Sequence, residues 1–176
     1  EAVRTHIAGA TATSVRSIGP DPFEARVDHQ VPLAAYRRSK VWQRDFEEYL
    51  ADQTHVIWES GRELIGRRHP DVLGEIGAIR ARGASCALIF HGSDIRPPGL
   101  HAESDPWSPF RLGGGPVKTM AERVAENADL IAKAEAPVFV STPDLLRWVP
   151  GAVWCPVVVD VERWRAATPE EPPGAR

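Results

Sequence analysis

The segment His91-Gly92-Ser93-Asp94-Ile95-Arg96 places an imidazole, a hydroxyl, a carboxylate and a guanidinium within six residues, directly after an apolar run. An imidazole exchanges protons near neutrality, a carboxylate accepts hydrogen bonds from hydroxyl groups, and a guanidinium donates to hydroxyls and anions. Gly92 permits close approach of a ligand to the backbone. His91 is therefore the candidate catalytic residue, and Gly92, Ser93, Asp94 and Arg96 are candidate substrate-binding residues. Each has a plain structural alternative. His91 can be satisfied by nearby backbone, and Asp94 and Arg96 can pair with each other or cap a helix.

Glu59 follows the short apolar run ending at Trp58 and has the same claim on an acceptor as Asp94. Ser141 and Thr142 follow a third apolar run and can line the same cleft, although Thr142 before Pro143 also suits a helix cap. Trp107 lies in a stretch rich in Pro, Gly and Ser and is a candidate for an acceptor lid. Trp148, Trp154 and Trp164 are aromatic surfaces of the kind that stack on sugars and, more commonly, cover a core or an interface.

The elements that position these groups follow from hydrophobic spacing. Residues 10–18 read as a short strand closed by a turn at Gly19-Pro20-Asp21-Pro22. Leu33 to Asp52 carries Val41, Trp42, Phe46, Tyr49 and Leu50 at helical spacing and reads as one amphipathic helix. His55 to Trp58 is a strand, Pro70-Asp71 opens a helix that Gly83 closes, and Ala84 to Phe90 is an apolar strand without alternation, expected to be covered on both faces. Pro97 to Pro116 reads as a long surface loop, Val117 to Ala134 as a helix and Pro137 to Val140 as a strand. Gly151 to Val159 reads as a last strand in which Pro156 requires an edge or a bulge. Strands alternating with helices predict an α/β fold with a doubly wound, mainly parallel, Rossmann-like sheet, whose ligands gather at the carboxyl ends of strands.

At 176 residues the chain fits one domain, with residues 1–164 folded and residues 165–176, rich in Pro and Glu, forming a linker. The formal charge of -3 gives no basic field for nucleic acid or an anionic membrane. Only three of the 21 basic residues are lysine, a bias expected of a GC-rich, bacterial genome. Cys86 and Cys155 sit in apolar runs without metal-ligand spacing and are expected as buried free thiols. No apolar run approaches the roughly 20 residues of a transmembrane helix and no signal segment opens the chain, so a cytoplasmic location is expected. An α/β hydrolase would need a GxSxG elbow, which the sequence lacks. A dinucleotide-binding dehydrogenase would need GxGxxG between strand and helix, where this chain has only Gly113-Gly114-Gly115 in the expected loop.

Leu88 to Arg96, the segment Pro137-Val138-Phe139-Val140-Ser141-Thr142-Pro143-Asp144-Leu145-Leu146, and Gly151 to Asp160 resemble, in order and spacing, the N-terminal domains of group-1 (family 4) glycosyltransferases of the GT-B fold. Cys155 stands where that family usually has leucine. The resemblance implies an acceptor-binding domain of an enzyme that moves a sugar from a nucleotide-sugar to a small-molecule or glycan acceptor, with retention and no metal or other cofactor. It implies that His91 contacts the donor sugar or its phosphate. It also implies a glycine-rich first strand ahead of Glu1 and a donor-binding C-terminal domain after Arg176, so that this chain alone is not a complete enzyme. The rival reading is a non-catalytic Rossmann-like module that binds a sugar or a partner protein.

Overall fold

The computed structural model describes residues 3–4, 7–18, 27–113, 115–159, 161 and 165. The turn expected at residues 19–22, Trp164 and all of the expected linker except Arg165 lie outside them.

Two parallel sheets form. In the smaller, β1 (Val15–Ile18) pairs with β2 (His29–Pro32), and Asp28 ties the entrance by accepting from the Ser14 amide and hydroxyl, both at 2.8 Å. The larger has the order β3 (His55–Glu59), β4 (Ser85–Phe90), β5 (Val138–Val140) and β6 (Val153–Trp154), all parallel. The α/β class with a parallel sheet is thus present. The four strands follow one another in chain order without a reversal, so right-handed crossovers lay their helices on one face, and among the described residues the expected doubly wound arrangement is not formed. β6 is an edge strand, as Pro156 requires, and Pro156 shortens the expected strand to two residues.

That face carries the core. Val56, Trp58, Cys86, Leu88, Phe90 and Val140 point into it from the sheet. They meet Val72, Ile76 and Ile79 of α3 (Val72–Arg80) and Leu130 and Ala134 of α6 (Gly115–Ala134). The opposite face is apolar but half-covered. Ile57, Ala87, Ile89, Phe139 and Val153 share it by register, and Ile57 and Val153 are 52% and 55% exposed. The unbroken apolar run of β4 therefore did not imply cover on both faces.

The expected helix over Leu33 to Asp52 is two helices, α1 (Leu33–Arg38) and α2 (Lys40–Ala51). Ser39 takes an extended conformation between them, and its hydroxyl accepts from the Trp42 amide at 3.2 Å. A hydroxyl that caps the second helix competes with continuing the first. The expected loop from Pro97 to Pro116 contains α5 (Pro98–Ser104) and a 3-10 turn at Pro109–Leu112, each opened by proline at the first position. Cys86 is buried, whereas Cys155 is exposed, contrary to the expectation for it.

Candidate functional site

Three strand ends converge. β3 runs into Glu59-Ser60-Gly61, β4 into His91 and the single-turn helix α4 (Gly92–Ile95), and β5 into Ser141-Thr142 before the 3-10 turn Pro143–Arg147. Backbone bonds lace them to β4: the Ser60 amide donates to the Ile89 carbonyl at 2.9 Å and the Ser141 amide to the Phe90 carbonyl at 3.1 Å.

Ser60 and Gly61 both lie in the left-handed region, at φ 59° and 63°. For Ser60 this costs on the order of 1 kcal/mol, which its contacts offset. Its hydroxyl donates to Asp94 Oδ2 at 2.6 Å in a buried bond, and the His91 amide donates to the same oxygen at 3.1 Å. Asp94 is thus the clasp between the β3 and β4 loops. Asn127 of α6 completes the clasp by donating to the Asp94 carbonyl at 2.8 Å. A side chain at Gly61 would put its Cβ 2.1 Å from Asn127 Oδ1, so glycine is required at this junction.

The half-buried His91 ring places Nε2 2.9 Å from Oε1 of Glu59. A carboxylate at that nitrogen orients the ring. The expected catalytic residue and one expected binding residue are therefore brought together across neighbouring strand ends. Asp94 and Arg96 do not pair with each other. Arg96 reaches over to Asp144 with Nη2 and Nε at 2.6 and 3.1 Å from Oδ2, linking the β4 and β5 loops. Burial of the Asp144 carboxyl opposes its ionisation, but neighbouring donors, Arg96 among them, hold its pKa below the usual aspartate value.

Ser141 is buried, and its carbonyl accepts from Trp154 Nε1 at 3.3 Å, so it supports the edge of the sheet. Thr142 occupies the N-cap position of the 3-10 turn without making a side-chain cap bond. Its hydroxyl is buried and makes no hydrogen bond of regular geometry with a described residue, yet it lies close enough to the Asp144 carboxyl to help hold that pKa down. Trp107 is 90% exposed at the turn between α5 and the following 3-10 turn, and it lines neither of the concavities described below.

An open cleft of about 530 Å³ lies beside the clasp, lined by Arg62, Ser93, Asp94, Thr119, Met120 and Arg123. Four of these were not expected from the sequence. Arg62 had a signal in its position three residues after Glu59, and Thr119, Arg123 and Asn127 had one in their i, i+4, i+8 spacing along one face of α6. A second concavity of about 440 Å³ is lined by His101, Ser104, Asp105, Asp144, Arg147 and Trp148.

Among the described residues, no group of three or more His, Cys, Asp or Glu side chains is placed to hold a metal ion, and no helix is long and apolar enough to cross a membrane. In comparisons with known proteins, no family model, no curated protein and no solved structure matches the chain.

Proposed function

We propose that this chain forms the acceptor-side, N-terminal half of a GT-B glycosyltransferase, transferring a sugar from a nucleotide-sugar to an acceptor with retention. The donor is held by a second α/β domain that faces the carboxyl ends of β3, β4 and β5. The observation that carries this reading is the His91–Glu59 pair, 2.9 Å apart, at the carboxyl ends of adjacent parallel strands. Ligands of open α/β sheets bind at such strand ends.

In this arrangement His91 offers a hydrogen-bond donor to the departing phosphate or the transferred sugar, with Glu59 orienting its ring. Asp94 fixes the loop that carries His91. The Arg96–Asp144 pair holds the neighbouring loop in register.

The test is turnover of the full-length gene product with a panel of nucleotide-sugars. His91→Ala is expected to lower turnover about 100-fold, the scale of a lost charge-stabilising or proton-transferring group. Glu59→Gln, acting through His91, is expected to cost about 10-fold. Turnover of His91→Ala near the wild-type rate would overturn the assignment. Glycan binding without turnover of any nucleotide-sugar would favour a non-catalytic sugar-binding module.

A further inference from the structure

The cleft beside the clasp has a chemistry of its own. Arg4, Arg44, Arg68 and Arg96 are each paired with a carboxylate. Arg62 and Arg123 form no ion pair and no side-chain hydrogen bond with any described residue, yet both face the same concavity. Arg62 arrives from the end of β3, and Arg123 from α6, one turn beyond Thr119 on the same helical face. Ser93 contributes a second hydroxyl from α4.

Two guanidinium groups and two hydroxyls around one concavity form a donor set suited to the oxygens of a phosphate, which guanidinium groups recognise by charge and by paired N–H donors. Asp94 is the opposing charge. Its Oδ2 accepts from the Ser60 hydroxyl and the His91 amide, so much of that charge is taken up inside the clasp, and the cleft keeps two cations against one anion. A carboxylate has more acceptor positions than these two bonds use, and the remainder suit a ligand hydroxyl. At about 530 Å³ the cleft falls in the range of small-molecule sites.

We infer that the cleft formed by Arg62, Ser93, Asp94, Thr119 and Arg123 binds a phosphate monoester of a sugar or polyol, the two arginines gripping the phosphate and Asp94 a hydroxyl. Assigning this phosphate to the acceptor rests on the transferase reading above. The anion site itself does not.

The test is titration calorimetry on this chain with inorganic phosphate, a hexose 6-phosphate, the same hexose without phosphate, and uridine diphosphate. The hexose phosphate is expected to bind at least 10-fold more tightly than the free hexose, and to weaken as salt rises. The double variant Arg62→Ala/Arg123→Ala should lose at least 10-fold in affinity, with unchanged far-ultraviolet circular dichroism. Arg82→Ala, which removes a charge near the opposite ends of the strands, should bind as the wild type does. Equal binding of hexose and hexose phosphate, or undiminished binding by the double variant, would overturn the inference. Preference for uridine diphosphate, lost in the double variant, would overturn the acceptor assignment and place the donor here. In the full-length protein, hexose phosphate binding without transfer leaves the anion site standing and removes the transferase reading. Transfer to an uncharged acceptor, unaffected by the double substitution, does the reverse.

Discussion

Glu75 shows how much one buried side chain can organise. Its carboxylate lies fully inside the protein and accepts from Trp58 Nε1 at 2.9 Å and from the Leu64 and Ile65 amides at 2.8 Å each. It thereby fixes the loop that leaves β3, on which Arg62 sits. Burial pushes the Glu75 carboxyl above the usual glutamate range, against the pull of these three donors. A group whose folded pKa is raised contributes its stability in full below its unfolded pKa and loses it as pH rises through the folded value. Glu75→Gln removes this titration and turns an amide donor towards an existing donor, at a cost of about 1–3 kcal/mol. Urea unfolding at several pH values should therefore show wild type above Glu75→Gln, with the gap widest in acid and narrowing as pH rises. A gap that widened with pH would refute this account. Nothing in the sequence marked this residue, because its partners are two backbone amides and an indole that only the fold brings near it.

At the scale of elements, start signals were the legible part. Asp71 was read as a helix opener, and its carboxylate accepts from the Gly74 amide at 2.8 Å as the N-cap of α3. Asp71→Ala should cost about 1 kcal/mol, or about 2–4 °C in Tm by calorimetry, with Asp71→Ser close to wild type. An alanine variant as stable as wild type would show that the cap is dispensable. The strand-end loops were legible for a related reason: an apolar run stopping at His91 or Glu59 marks a carboxyl end, where the topology gathers polar groups. Breaks inside helical patterns were not. The apolar spacing continues past Ser39, so the break there depends on a local hydroxyl bond that periodicity does not register. The proline-rich stretch failed in the opposite sense, because Pro98 and Pro109 start helical turns rather than prevent them. Pairing across loops was equally hidden: a mutual pair was one alternative for Asp94 and Arg96, and nothing local pointed Arg96 to Asp144.

For the whole molecule, the consequence of sequential strand order is an asymmetric sheet. One face packs against α3 and α6, and the other presents Ile57, Ala87, Ile89, Phe139 and Val153 as an apolar stripe that is exposed at both ends. Apolar residues on both faces of β4 told of a strand, but not of which face is covered, since burial depends on where the helices cross and not on the strand's own composition. A contiguous exposed apolar stripe that includes an edge strand favours association, and lysine at such an edge opposes it. Ile57→Lys/Val153→Lys should raise the concentration at which this chain self-associates in light scattering, while shifting the urea midpoint little, because both side chains already lie more than half in solvent. Val56→Lys, one residue away on the covered face and 5% exposed, should abolish cooperative unfolding, since it buries a charge without a partner. If the double lysine variant unfolded as readily as Val56→Lys, the second face would be packed in solution, and the asymmetry of the sheet would be refuted.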